Sequence, residues 1–420
     1  MEDILTLTRR QFISGMVGAG VLVAGSGLTV TGCKSSGEAD REILRALRRA
    51  TPGADVRSLI LTDEQVISGY EFEDTTSKDY FVFDRDFELP LGSLIYQDDK
   101  NIACVLAPGE TTDVLIRLGA LNMDKGELSI LLPAALNDEN RYCIYDARLS
   151  DKIAVWVECD MTAGDWIVYA APHSGTKLGT PQKLEEGTTD YDPPLLCVYG
   201  STAYWTIMPD ANGPAYTEDS YLKAADLNTG GASEIRTVYT SHGRMIINPQ
   251  ATEGHVVIAP RVDIDVVRYQ LTALSTETEQ VVATSLLPEG LRVSDCVYMN
   301  NEFTFCIEGS YDFAGGLRYF GTYEMLEEEG TDKALYINRE PASPAAYINN
   351  CLMVKSTATV VGFDLAKQRS FIIDKLEDCA EYGDLLTGCG IQERLITYTT
   401  VVDKADAAKN KVKVRVFKKA

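Results

Sequence analysis

The chain has 420 residues, with 39 Lys and Arg against 62 Asp and Glu, a formal net charge of −23. That balance argues against nucleic acid and against direct docking on anionic lipid, and it suits a solvated acidic surface or a cation-rich or basic partner. Ten cysteines and three histidines contain no Cys-x-x-Cys and no zinc-like spacing, so haem, zinc and cysteine-cluster chemistry are not indicated.

The first structural signal is Thr8-Arg9-Arg10-Gln11-Phe12-Ile13, which opens a Gly-rich and only moderately apolar run over residues 13–30. A membrane span would prefer Leu and Ile over about 20 residues. The run ends in Val30-Thr31-Gly32-Cys33. Arg9, Arg10 and Phe12 resemble a twin-arginine export signal, and the four residues ending at Cys33 resemble a lipobox. The resemblance implies a signal peptide over 1–32 and lipidation at Cys33. It also implies folding in the reducing cytoplasm before export. The exported chain would be held by lipid alone at the outer face of the cell membrane, or in the periplasm or outer membrane if the source has one. An uncleaved anchor helix is the alternative, and it also leaves most of the chain outside.

Residues 33–55 read as lipidated Cys, polar tether and short helix. Lys34-Ser35-Ser36-Gly37 is the tether. Asp40 is placed to cap a helix through Ala50, with Ile43, Leu44 and Leu47 on one face and Arg41, Arg45, Arg48 and Arg49 elsewhere. Pro52-Gly53 ends it.

Over residues 56–420 the pattern changes to short strands and frequent turns, and a repeat emerges. Leu94-Ile95-Tyr96, Cys143-Ile144-Tyr145, Cys197-Val198-Tyr199 and Cys296-Val297-Tyr298 are close copies. Ile246-Ile247-Asn248 and Ala346-Tyr347-Ile348 fill weaker slots, and a degenerate one lies near 386–389. The third positions of the six clear slots are spaced by 49, 54, 49, 50 and 50 residues. Each slot is followed by a second strand, a third strand, a recurring turn and a fourth strand. Asp226-Leu227-Asn228-Thr229-Gly230 is the best copy of the turn.

Four strands every 50 residues or so predict an all-β, seven-bladed β-propeller of four-stranded blades. The predicted blades are 91–133, 141–186, 193–240, 244–287, 293–340, 344–376 and 384–417. The last window holds three clear strands, so a strand near 80–84 is expected to complete it and remove a free edge. The third-strand, Asp-x-x-Thr-Gly, fourth-strand pattern resembles the TolB-like and quinoprotein-like propellers, in architecture only. Tryptophan-docking motifs and Trp-Asp endings are missing, so no cofactor follows from it. A two-sheet sandwich array is the alternative fold.

Cys143, Cys197 and Cys296 recur once per repeat, as small core residues do. Cys143 with Cys159, and Cys296 with Cys306, sit on adjacent strands, where disulfides need matching register. Trp156, Trp166 and Trp205 read as core. His173 falls in a turn, His255 heads a second strand, and His242 alone lies between blades.

Ligand sites on such a scaffold are expected where second-to-third strand loops and inter-blade loops meet. The richest loops hold Asp190, Tyr191, Asp192, His242, Arg244, Arg261, Asp263, Asp265, Tyr311 and Asp312. Carboxylates with Tyr and Arg around a pit suit a cation, a sugar or a peptide. Asp210-Ala211-Asn212-Gly213 resembles a calcium loop without its later Glu. No catalytic residue, resident metal or cofactor is assigned, and a divalent cation is left open. The function expected is a non-enzymatic, monomeric, membrane-anchored binding module for a partner protein, small molecule or glycan. The alternatives are a polysaccharide lyase or glycosidase, with Asp192 and Asp263 as the carboxylate pair, and a quinoprotein-like oxidoreductase. A propeller-plus-hydrolase peptidase is not expected, since no Gly-x-Ser-x-Gly is present.

Overall fold

The computed structural model describes residues 36–420 except 60, 62–65, 112–113, 139–140, 215, 229–230, 264–266, 308–320, 329–330 and 339–342. At 36–40, 263, 327–328 and 331–332 it describes the backbone alone. Arg9, Arg10, Phe12 and Cys33 lie outside the described residues.

The helix spans Ser36–Ala50 and forms a unit of its own. It starts before the expected Asp40 cap, because Glu38 and Ala39 are strong helix formers and extend it upstream. Ile43, Leu44 and Leu47 are its half-buried positions, and Arg41, Arg45, Arg48 and Arg49 are exposed. No described helix is long and apolar enough to cross a membrane.

Residues 51–420 form an all-β propeller. Its strands group into seven sheets. Blade 1 is Leu94–Tyr96, Ile102–Pro108, Ile116–Asn122 and Glu127–Leu132. Blade 2 is Tyr142–Leu149, Ile153–Asp160, Trp166–Pro172 and Gln182–Gly187. Blade 3 is Leu196–Tyr199, Thr202–Ile207, Ser220–Asn228 and Arg236–Ser241. Blade 4 is Gln250–Thr252, His255–Ile258, Arg268–Ser275 and Val281–Leu286. Blade 5 is Val293–Met299, Glu302–Ile307, Gly321–Glu328 and Thr331–Ile337. Blade 6 is Ala346–Ile348, Cys351–Lys355, Val360–Asp364 and Arg369–Ile372. Each is an antiparallel meander built from contiguous chain.

Seven four-stranded blades, the last completed by a strand from before the first, were the expectation, and this needs correction: the structure shows six blades. Six blades are contiguous, whereas the remaining sheet is a composite of Leu385–Leu386, Leu395–Val401, Lys411–Lys419 and Phe81–Pro90. Its last slot is degenerate because Leu385–Leu386 is only two residues long, and Gly390–Gln392 leaves to pair in parallel with Ala346–Ile348 of blade 6. Phe81–Pro90 pairs antiparallel with Lys411–Lys419, a longer span than residues 80–84.

The segment before Phe81 has a role that the repeat does not reveal. Asp55–Ser58 adds a parallel strand to the outer edge of blade 4, Val66–Ser68 to blade 5 and Glu73–Asp74 to blade 6. The N-terminal chain thus runs along three successive edges before it enters the composite sheet.

Apolar runs, rather than strict alternation, mark the strands that are covered on both faces. Ile153–Asp160 is buried at every position. The core lies between sheets, so each hydrophobic cluster draws on two neighbours. Trp166 and Trp205 join blades 2 and 3, while Leu271, Phe305 and Tyr323 join blades 4 and 5. Val105, Ile396 and Val414 join blade 1 to the composite sheet. The three tryptophans are core, as expected, and each indole N–H has an acceptor: Glu158 for Trp156, the Tyr191 carbonyl for Trp166 and Glu185 for Trp205.

Cys197 and Cys296 are buried, and burial pushes both thiols up. Cys143 stands directly opposite Cys159, whereas Cys306 faces Asp295 and is offset from Cys296 by one residue. No disulfide joins the nine described cysteines.

Two buried charges make the fold testable. Asp384 is fully buried in the composite sheet, 2.5 Å from Arg415 Nη2, and it accepts from Thr397 Oγ1 at 3.1 Å. Arg415→Met would strand that carboxylate, and removing one partner of a buried pair costs about 3–5 kcal/mol. Urea unfolding should show a loss of that order, partly recovered by adding Asp384→Asn; a loss within error would refute the assignment. Glu324 in blade 5 is buried with Oε2 unpartnered, and burial holds its carboxyl well above the ordinary range. The folded state therefore keeps a proton that the unfolded chain gives up, so stability falls as pH rises through that window. Glu324→Gln should melt higher than wild type at about pH 8 and equally at about pH 4.

Candidate functional site

In an antiparallel meander the chain reverses at alternate ends. Second-to-third turns and blade-to-blade crossovers therefore leave from the same face. Five such connections meet across blades 3 to 5, through residues 188–195, 208–214 with 216–219, 242–249, 259–263 with 267, and 287–292.

The first is fixed by backbone. Asp192 N donates to the Met208 carbonyl and Asp210 N to the Asp190 carbonyl, each at 2.9 Å, which locks Tyr191 against Pro209 as an isolated bridge. Trp166 Nε1 donates to the Tyr191 carbonyl at 2.9 Å. Gly187 makes room for that indole, since a Cβ there would lie 2.2 Å from the ring. Tyr191 OH donates to Glu218 at 3.1 Å, a bond that raises its phenol pKa. Asp190 is exposed.

Asp192 is not a free carboxylate. It sits 2.5 Å from Arg244 Nη2, and the Pro209 carbonyl accepts from Arg244 Nη1. Burial raises the Asp192 carboxyl above its ordinary range, against the pull of Arg244. His242 is exposed, with Nδ1 3.4 Å from Asp219. The backbone N–H of His242 donates to the Arg261 carbonyl at 3.3 Å. Ser241 ties this crossover together: its hydroxyl donates to the Gly243 carbonyl at 2.8 Å and accepts from Arg261 N at 2.9 Å. Gly243 has φ +107°, and a Cβ there would meet Arg261 Cδ at 3.2 Å.

These loops enclose an open cleft of about 350 Å³. Arg244, Arg261 and Arg292 line it with Tyr216, Tyr269 and buried apolar side chains such as Met245. Arg292 lies over the Tyr269 ring, 6.0 Å from its centroid. Among the described residues, none that lines the cleft is acidic.

Of the sequence-selected residues, the structure brings Asp190, Tyr191, Asp192, His242, Arg244 and Arg261 onto one face. The Asp263 side chain and all of Asp265, Tyr311 and Asp312 lie outside the described residues. Asp210 closes a turn, accepting from Asn212 N at 3.2 Å. Among the described residues no three His, Cys, Asp or Glu side chains group as a metal would need. Sequence reasoning missed Arg292, Tyr216 and Tyr269. Arg292 occupies the crossover into blade 5 as Arg244 occupies the crossover into blade 4, a parallel that the repeat alignment contains. His173 is a turn staple: Nδ1 accepts from Gly175 N at 2.9 Å, Nε2 meets the Ser150 carbonyl at 2.8 Å, and burial lowers its pKa.

With this geometry in hand, comparison with known proteins adds the following. No protein-family model matches the sequence, and no curated protein matches it. Solved structures match in shape. A structure from work on two prolyl endopeptidases superposes with a TM-score of 0.50 at 12% identity, over 90% of this chain and 53% of that one. The β-propeller domain of the trilobed protease from Pyrococcus furiosus gives 0.42 at 11%, over 63% and 80%. An oligogalacturonate lyase in complex with manganese gives 0.40 at 11%, over 79% and 98%. What they share with this chain is the propeller. The chain spans about half the length of the prolyl endopeptidase that it matches.

Gly243→Ala tests how the cleft wall is held. A side chain at this positive φ costs about 1–3 kcal/mol, and its Cβ would displace Arg261. We expect a lower melting temperature together with weaker binding of any ligand of the cleft. A variant with wild-type melting would show that Gly243 is not needed there.

Proposed function

We propose that this chain is an exported lipoprotein, anchored through Cys33, whose propeller is a ligand-binding module. The observation that carries it is the cleft. Five connections from three adjacent blades converge on one face, each fixed by backbone bonds or core contacts, and propeller scaffolds add function through such loops at little cost to the core. The ligand is a small molecule, a glycan or a short segment of a partner protein.

The second reading is a propeller enzyme acting on polysaccharide. The arginine-lined cleft favours it over a quinoprotein-like oxidoreductase, because guanidinium groups can bind an acidic sugar. Of its carboxylate pair, Asp192 and Asp263, Asp192 lies 2.5 Å from Arg244 Nη2.

Address and binding are tested separately. Cys33→Ala should release the protein from the membrane fraction or leave an unprocessed precursor, and Arg9→Lys with Arg10→Lys should stop export. Unchanged mass, fractionation and export would refute the address. For binding, a thermal-shift screen of the full chain against sugars, organic acids, amino acids and divalent salts should yield a stabilising ligand. Its effect should vanish in Tyr216→Ala with Arg244→Ala. A ligand unaffected by that variant would move the site to another face, and turnover of a sugar polymer would establish the enzyme reading.

A further inference from the structure

We propose that the cleft takes a small oxyanion, whose carboxylate or phosphate groups meet Arg244, Arg261 and Arg292 while its ring or apolar part lies against Tyr216 and Tyr269. This rests on the reading of the blade 3–5 face as the binding site.

The three guanidinium groups come from three different connections, and each is positioned. Arg244 is pinned by Asp192 and the Pro209 carbonyl, which engage Nη2 and Nη1. A guanidinium has five N–H donors in a rigid fork, so this pinning sets the direction of those that remain. Arg261 lies against Gly243, where any side chain would push it away. Arg292 is exposed and stands over the Tyr269 ring. Groups held in place before binding lose little side-chain entropy when the ligand arrives.

The surrounding charge makes the cleft selective. In a chain of net charge −23, a cleft whose described lining carries three arginines and no carboxylate is a local concentration of cationic groups, one of them paired with Asp192. The Debye length is about 8 Å at physiological ionic strength. An anion inside the cleft therefore senses the guanidinium groups that line it, with Asp192 offsetting Arg244, more than the acidic surface beyond that length. Beyond the cleft a long polyanion would meet that acidic surface, so an end or a short segment of one is what the cleft can hold. The volume of about 350 Å³ sets the same limit, that of one small molecule or a short oligomer. A metal ion or a basic peptide finds like charge here.

The test is calorimetric titration of the full chain with citrate, inorganic phosphate and the neutral trimethyl ester of citrate. We expect citrate or phosphate to bind, whichever binds tighter naming the oxyanion, and the ester to bind at least about tenfold more weakly. Affinity should fall as salt rises from about 0.1 M to about 1 M. Arg292→Gln and Arg261→Gln should each weaken binding by about tenfold or more. Arg292 is exposed, so Arg292→Gln should keep the wild-type melting temperature and remain readable if Arg261→Gln fails to fold. Absence of citrate and phosphate binding, or equal binding of the ester, overturns the oxyanion. If a neutral sugar or divalent salt binds instead and is lost in Tyr216→Ala with Arg244→Ala, the face survives and the oxyanion does not. Citrate binding that ignores both arginine variants overturns the site itself.

Discussion

The pairing of Phe81–Pro90 with Lys411–Lys419 is the constraint on which the remaining sheets depend. Every other sheet packs against its neighbours through clusters that draw on two sheets at a time. An open array of that kind would end in two exposed apolar faces and two free edges. The composite sheet buries both faces, one against blade 1 through Val105 and Val414 and the other against blade 6 through Phe371 and Phe417. Its interior holds the Asp384–Arg415 pair, which tolerates burial only while Thr397 and the Asp374 carbonyl complete its bonding. The groups that answer this charge all lie within residues 374–415, so the C-terminal strands carry their own polar register, and Phe81–Pro90 adds the backbone pairing that covers their edge.

Side-chain bonds between blades repeat that logic on a smaller scale. Ser150 in blade 2 donates to the Gly200 carbonyl in blade 3, and Thr252 in blade 4 to the Tyr298 carbonyl in blade 5. Thr387 donates to Gln97, linking the composite sheet to blade 1. Such bonds fix the angle between neighbouring sheets, which apolar contacts alone leave adjustable. The cleft needs that fixity, because its three arginines are presented across blades 3, 4 and 5.

Much of this was legible in the sequence where burial dictates residue type. Inner strands are covered on both faces, so the Cys-Val-Tyr slots recur and set the spacing. The last blade was readable as incomplete because its slot is degenerate. The edge strands at 55–58, 66–68 and 73–74 were not readable. They are two to four residues long and only partly buried, and backbone pairing at an outer edge asks little of side chains. The face that carries the candidate cleft followed from topology, but the side chains that line it did not. The loops were read as carboxylates with Tyr and Arg, suiting a cation, a sugar or a peptide, and of these carboxylates Asp192 is held by Arg244. Composition reports how many charges a loop carries, and only the fold decides which of them the cleft sees.

The three added edge strands also define a path for mechanical load. A pull on the chain at residue 51 reaches Asp55–Ser58 first, then Val66–Ser68, then Glu73–Asp74, and only afterwards Phe81–Pro90. The first three pairs are short and in series, so they can yield one at a time and let out slack while the long pair stays shut. The N-terminal segment is in this sense a sacrificial tether, dissipating tension before it reaches the strand that keeps the propeller whole.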